Sequence, residues 1–215
     1  MSIRSLFFAS LLLAASSLQA ATVAVFQGSL SIDYTGMQSG LFLSGPNHFN
    51  QGTSNTLTNT QVESTLAGDV FSFTGLQFGV NTGAPASPAG RAIQDTTMTY
   101  DVSNLTGTLA GQVGLGGVDR WAYGFGGNFL MGDYSLEFSA SRAVGAKSGW
   151  YLENHYTFGM VAFDLANVNT VIDGDNFTLS GDLFVSPEFA ANFGAFSDGS
   201  LVAGAGRGVA FRTGR

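Results

Sequence analysis

The sequence contains no cysteine, and this absence excludes several kinds of chemistry. No disulfide can crosslink the fold, no thiolate can bind zinc, and no cysteine can act as a nucleophile. A chain of this length, 215 residues, can bury a core without crosslinks. An exported protein could use disulfides, so a chain without cysteine is unlike the small secreted domains that depend on them. We expect a bacterial envelope or extracellular protein that is stabilised by its core.

Basic residues are also scarce, with 8 Lys and Arg against 15 Asp and Glu and a net charge of −7. Nucleic-acid binding depends on clustered Lys and Arg, so we expect no nucleic-acid partner. The sequence has only 2 histidines. A transition-metal site would therefore need carboxylates to complete its ligand set.

Long apolar runs are absent after the N-terminus. The first twenty residues combine Arg4, an apolar run over 6–15 and small residues up to Ala20. This pattern predicts a secretory signal peptide at 1–20, cut after Ala20, and an exported protein. Because no later run reaches about 20 apolar residues, we expect no helical membrane anchor.

What the sequence does have is 30 Gly and 19 Phe, a composition typical of short strands joined by tight turns. Apolar and polar residues alternate over 24–34, 98–102, 121–131 and 134–138. The segment 45–65 is polar and predicts a surface loop. We predict an all-β fold: an antiparallel, jelly-roll-like β-sandwich in a single domain at 21–200.

The clearest local pattern lies between Tyr156 and Phe196. It predicts a hairpin that turns at Asp173 and Gly174, followed by one short helix near the C-terminus. Ser186 has the character of an N-cap residue, and Pro187 that of the first helical residue. The Gly- and Ala-rich segment 201–215 has no regular period, and we predict an irregular basic tail there.

Four aromatic residues are candidates for ligand binding. Trp121, Tyr123, Trp150 and Tyr151 could form a platform on which a sugar stacks. The alternative is that they belong to the core, which is the commoner role of aromatic residues at strand spacing.

Asp173, Asp175, Asn176 and Asp182 are the candidates for a metal site, because Ca²⁺ takes six to eight oxygen ligands. Their spacing lacks the twelve-residue loop and closing Glu of a calcium hand. The alternative is a solvated turn with a capping acid. No other cofactor is expected.

A third group contains Glu137, Glu153 and His155. Glu153 and His155 are two residues apart and share a face if they lie on a strand. Glu137 and Glu153 lie on neighbouring predicted strands and could face each other, as the paired carboxylates of glycoside hydrolases do. The sequence has no Gly-x-Ser-x-Gly motif. We assign no catalytic residue and expect no enzyme activity.

The run NFTLSGDLFVSPEFAANF at Asn176–Phe193, within a Gly- and Phe-rich chain that lacks Cys, resembles the exported β-rich proteins of Gram-negative bacteria of the PEP-CTERM-associated type. The Pro-Glu-Pro sorting signal of that family is not present in this sequence. The resemblance implies release or surface association in an extracellular matrix. It implies no catalytic residues.

These patterns favour a secreted, non-enzymatic β-sandwich protein of the bacterial cell surface or extracellular matrix. Its expected role is adhesive or glycan-binding, with extracellular polysaccharide or matrix proteins as partners. Two alternatives stay open. One is an eight-stranded outer-membrane β-barrel, indicated by low charge and many aromatic residues. The other is a carbohydrate-active jelly-roll enzyme.

Overall fold

The computed structural model describes residues 22–34, 48–52, 54–66, 75–83, 85–123, 127–193, 198–199, 201–203 and 209–214. The predicted signal peptide lies outside these ranges. The strands are β1 (Thr22–Ile32), β2 (His48–Gly52), β3 (Leu76–Val80), β4 (Thr99–Asp101), β5 (Val113–Gly116), β6 (Val118–Tyr123), β7 (Gly127–Gly132), β8 (Ser135–Phe138), β9 (Lys147–Asn154), β10 (Met160–Asp173), β11 (Asn176–Val185), β12 (Leu201–Ala203) and β13 (Val209–Gly214). The helices are α1 (Asn59–Leu66), α2 (Leu105–Thr108) and α3 (Pro187–Asn192).

Most of the described strands belong to one antiparallel sheet. Its order is β10-β9-β8-β5-β3-β1-β13-β11-β12, and β4 pairs with β1 at one side. Because β10 also pairs with β11, the sheet curls back on itself. A small second sheet has the order β2-β6-β7. The predicted all-β antiparallel fold with a short helix near the C-terminus is confirmed.

The core lies inside the curled sheet, and the alternation read from the sequence places its side chains. In β11, Phe177, Leu179 and Val185 are buried, whereas Thr178 and Ser180 point outward. Aromatic rings fill the centre of the core. They include the stacked rings of Trp121 and Phe163, whose centroids are 5.9 Å apart, and Phe189 from α3.

The helix α3 begins as predicted. Ser186 has an extended backbone, and its Oγ accepts a hydrogen bond from the backbone N–H of Phe189 at 2.9 Å. The same hydroxyl donates to the carbonyl of Val161 in β10 at 2.7 Å. The cap therefore fixes the start of the helix and also ties it to the sheet.

Replacing Ser186 with alanine should lower the free energy of unfolding by about 1–2 kcal/mol, because both hydrogen bonds of a buried hydroxyl are lost. Urea unfolding followed by circular dichroism measures this change. Ser180→Ala, on the outward side of β11, is the matched control and should change the stability by less than about 0.5 kcal/mol. Equal stabilities of the two variants would contradict the role of the cap.

The structure corrects the prediction of a surface loop over 45–65. This segment contains β2 and α1, whose Val62 and Leu66 are buried. The helix starts with a capping box: the Thr58 N–H donates to Gln61 Oε1 at 2.9 Å, and the Gln61 N–H donates to Thr58 Oγ1 at 3.4 Å. The Thr-x-x-Gln spacing was a readable signal within a polar composition.

The prediction of an irregular tail at 201–215 is also wrong. The tail forms β12, which pairs with β11, and β13, which pairs with both β1 and β11. The physical reason is that β13 fills the position between two central strands, where its backbone groups are hydrogen-bonded on both sides. Backbone hydrogen bonds to both neighbours hold such a strand in place, so its sequence need not show an alternating apolar pattern.

Candidate functional site

The predicted aromatic platform does not form as a set. Trp121 and Trp150 are buried, with exposed fractions of 1% and 3%. Their rings pack within the core, that of Trp150 against Phe138 with centroids 5.5 Å apart. Tyr151 is half-buried on the outer side of β9, and the side chain of Tyr123 lies outside the described residues. The prediction of a four-residue platform is therefore wrong, and the core alternative applies to both tryptophans.

The predicted calcium ligands are too far apart to share one ion. Asp173, Asp175 and Asn176 are exposed at the tip of the β10–β11 hairpin. Asp182 lies further along β11, about 20 Å from Asn176 at the usual rise of a strand. Its carboxylate accepts a hydrogen bond from the Asn167 side chain at 2.7 Å. The prediction of a joint site is therefore wrong.

Polar side chains instead come together on the outer face of β8 and β9. Ser135 is opposite Glu153 in the strand register, and Glu137 is opposite Tyr151. His155 follows β9 at the same parity as Glu153. We call these residues the β8–β9 patch: Ser135, Glu137, Tyr151, Glu153 and His155. Sequence reasoning predicted that the two glutamates could face each other and that Glu153 and His155 would share a face, but it missed Ser135.

Hydrogen bonds order the patch. The Ser135 hydroxyl donates to Glu137 Oε1 at 2.6 Å, and the Tyr151 hydroxyl donates to Glu137 Oε2 at 2.7 Å. Ser135 Oγ is also 2.8 Å from His155 Nε2. Since the single proton of Ser135 goes to Glu137, we assign the proton of this second hydrogen bond to Nε2. His155 is then not a base for Ser135, whose side chain is fully buried.

Burial shifts the pKa values of two members of the patch, His155 and Tyr151. Desolvation lowers the pKa of His155, against the opposing effect of Glu153, Glu137 and Asp133. Desolvation and the hydrogen bond to Glu137 raise the pKa of Tyr151 above its ordinary value. At neutral pH His155 is therefore a neutral imidazole, and Tyr151 keeps its phenolic proton.

Three members of the patch lie close enough together to hold a metal ion. Each of Glu137, Glu153 and His155 offers one ligand atom, and these atoms all lie within 4.8 Å of one another. The ion pairs found in the described part of the chain include neither glutamate. The patch therefore combines a neutral imidazole with two carboxylates that have no Lys or Arg in an ion pair with them.

The basic residues beside the patch are engaged elsewhere. The guanidinium of Arg142 lies 5.1 Å from the ring centroid of Tyr151. It donates to Asp164 and to Glu188, at 2.7 Å each. These contacts raise the pKa of Arg142 and lower that of Glu188. Lys147 pairs with the same Asp164 at 2.9 Å.

A small cavity of about 270 Å³ opens beside His155. Its walls come from the segments 90–92 and 157–159. Thr157 in this wall has a left-handed backbone, with φ 61°, which is rare for a β-branched residue. The cavity gives small solutes access to the side of His155.

None of the helices in the described part of the chain combines the length and the apolar character that crossing a bilayer requires. No protein-family model matches the chain, and no curated protein matches it. Among solved structures, the crystal structure of the C-terminal domain of HtaA from Corynebacterium glutamicum is similar, with a TM-score of 0.52 and 11% sequence identity. The match covers 89% of this chain and 99% of that one. At this identity the likeness shows a shared β-rich fold.

Proposed function

We propose that this chain is an exported, non-enzymatic β-domain that binds glycan or matrix components at the bacterial cell surface or in the extracellular matrix. The observation that carries the proposal is the polar outer face of the curled sheet. Half-buried or exposed polar side chains point outward from several strands: Ser29, Ser31, Gln77, Glu137, Glu153, Thr178, Ser180 and Asp182. This face is suited to contact with water and with hydrated polymers.

The same face weighs against the outer-membrane alternative. A sheet that spans the outer membrane turns an apolar band toward lipid and often polar groups toward its interior. In this chain the interior is apolar and aromatic, and the outward residues above are polar. The likeness to a bacterial β-domain and the resemblance of the run 176–193 to PEP-CTERM-associated proteins also support the proposed location.

The best-formed surface for a glycan extends from the β8–β9 patch to Arg142 and Glu188. It presents carboxylates, a guanidinium and the phenol of Tyr151, groups that form hydrogen bonds with sugar hydroxyls. Because Arg142 covers the Tyr151 ring, we expect recognition through hydrogen bonds at the edge of the ring. Stacking on the ring is not required.

The carbohydrate-active alternative has one observation in its favour, the proximity of Glu137 and Glu153. A retaining glycosidase separates its two carboxyl groups by about 5–5.5 Å across a cleft that holds the sugar. Here the two glutamates lie on the outer face of the sheet, and both oxygens of Glu137 already accept hydrogen bonds. We therefore favour binding without cleavage.

Fractionation of the producing bacterium tests the location. We expect the protein in the medium or as a washable surface component, with a mature N-terminus at Ala21. Recovery in the cytosol with an uncut N-terminus would contradict export. A heat-shifted band in the outer-membrane fraction would instead support the outer-membrane alternative.

Binding to polysaccharide isolated from the same bacterium tests the role. Replacing Tyr151 with alanine should weaken binding about tenfold, because the phenol and its hydrogen bond to Glu137 are lost. Val171→Ala, an exposed residue near the far end of the β10–β11 hairpin, is the control and should bind normally. Equal binding by Tyr151→Ala would contradict this surface, and release of reducing ends during the assay would contradict a non-enzymatic role.

A further inference from the structure

We propose that Glu137, Glu153 and His155 form a binding site for a divalent transition-metal ion such as Zn²⁺. This site goes beyond the proposed function and does not depend on it. Three observations support it: the ligand geometry, the uncompensated charge of the two glutamates, and the hydrogen bonds that orient Glu137.

The geometry follows from the strand pairing. Two of the ligands come from adjacent antiparallel strands, β8 and β9, and the third directly follows β9. The pairs Ser135–Glu153 and Glu137–Tyr151 fix the register. Below them Leu136 and Leu152 are buried, so the strands are anchored in the core. The ligand atoms all lie within 4.8 Å of one another. Tetrahedral bonds of about 2.0–2.2 Å require about 3.3–3.6 Å between ligand atoms, so small rotations of the side chains bring them around one ion.

The second observation is that Glu137 and Glu153 lie close together with neither in an ion pair in the described part of the chain. Two carboxylates at this distance repel each other, and a cation between them offsets that repulsion. Among the described residues, Arg142 forms its ion pairs with Asp164 and Glu188. Arg91, which lines the cavity beside His155, pairs with Asp133. Neither residue therefore supplies this cation through a salt bridge.

The third observation is that hydrogen bonds from neighbouring side chains orient Glu137, as they orient the ligands of many protein metal sites. Protein metal ligands are usually oriented by a second group, and loss of that group typically weakens metal binding. Here Ser135 and Tyr151 each donate to one oxygen of Glu137. A carboxylate oxygen has two lone pairs, so Glu137 can accept these hydrogen bonds and still bind an ion.

The donor set indicates the kind of ion. One imidazole nitrogen with two carboxylate oxygens suits Zn²⁺, Co²⁺ or Ni²⁺, and Ca²⁺ would require six to eight oxygens. Only the unprotonated nitrogen of His155 can bind the ion, so either Nδ1 is the ligand or the proton moves from Nε2 to Nδ1 when the metal binds. Water would complete the coordination from the open side of the patch. A cavity of about 270 Å³ adjoins the third ligand, His155.

Titration of the full, EDTA-treated protein with Zn²⁺ in a calorimeter tests the site, with Co²⁺ absorption as the second readout. We expect one ion per chain. Glu153→Gln, which keeps the shape of the side chain, and His155→Gln should each weaken Zn²⁺ binding at least about tenfold. Both variants should also change the visible bands of bound Co²⁺, which report the ligands directly.

Two matched controls separate this site from adventitious binding. His48→Gln removes the other histidine of the chain, and Asp175→Asn removes an exposed acid at the hairpin tip. Both should bind Zn²⁺ as the unmodified protein does. The proposal is overturned if the unmodified protein binds no Zn²⁺, or if folded Glu153→Gln retains full affinity and the unchanged Co²⁺ spectrum. Loss of binding in His48→Gln would overturn it as well.

Discussion

Replacing Arg91 with methionine should lower the free energy of unfolding by about 3–5 kcal/mol, a large fraction of the stability of a typical domain. Arg91 and Asp133 form an ion pair whose side chains are both 0% exposed. Arg91 Nε donates to Asp133 Oδ2 at 2.7 Å, and a second guanidinium nitrogen donates to Oδ1. Methionine fills much of the same space but leaves a buried carboxylate without its cation.

Arg91 also holds a distant part of the chain. Its third nitrogen donates to the carbonyls of Ser54 and Leu57, at 3.1 and 3.0 Å. These residues lie just before α1, so the side chain joins the start of this helix to the turn at Asp133. In Arg91→Met we therefore expect faster hydrogen exchange over α1 in addition to the global loss of stability.

Urea unfolding of single and double variants separates the parts of this effect. In Arg91→Met/Asp133→Asn the buried carboxylate is gone, so the double variant should recover part of the stability that Arg91→Met loses. Asparagine tolerates the left-handed backbone of Asp133, where φ is 47°. A loss below about 1 kcal/mol in Arg91→Met would show that the pair contributes little.

The ion pair of Arg91 and Asp133 shows where sequence reasoning reaches its limit. The two residues are 42 positions apart, and nothing in the pattern around either one points to the other. By contrast, the cap of α3 could be predicted because Ser186, Pro187 and Glu188 carry the whole signal locally. Local hydrogen bonds and strand alternation are readable from the sequence, whereas contacts that depend on topology are not.

The candidate site lies between these extremes. Parity along β9 was enough to place Glu153 and His155 on one face, and adjacency of β8 and β9 brought Glu137 to them. Trp150 and Glu153 lie on opposite faces of β9, but the spacing of residues along a strand does not say which face is buried. For this reason the tryptophans could be interpreted as exposed until the curled sheet showed which side faces the core.

The second large effect concerns Asp119, a carboxylate buried without a cationic partner in the described structure. Its Oδ2 accepts hydrogen bonds from Tyr34 at 2.6 Å and from the Trp121 indole at 2.9 Å. Its Oδ1 accepts from Tyr134 at 2.9 Å. Burial raises the pKa of Asp119 to about 6, although these hydrogen bonds act in the opposite direction.

The sign of the pH effect follows from this shift. Between its ordinary pKa near 4 and the folded value of about 6, Asp119 binds more protons in the folded state than in the unfolded state. Stability from this group therefore falls as the pH rises through that interval. The linkage predicts a loss of about 2 kcal/mol between pH 4 and pH 8 from Asp119 alone.

Asp119→Asn should abolish the pH-dependent loss of stability that Asp119 causes, while keeping its polar contacts. The amide oxygen can accept from Tyr34 and Trp121, and the amide nitrogen can donate to the hydroxyl oxygen of Tyr134. The quantity to measure is the difference in unfolding free energy between Asp119→Asn and the unmodified protein at several pH values. This difference should shift in favour of the variant as the pH rises from 4 to 8, because only the unmodified protein must ionise a buried carboxylate. Parallel stability curves for the two proteins would mean that the pKa of Asp119 is not raised in the folded state. The three hydrogen bonds to its carboxylate would then fully offset the effect of burial on that pKa.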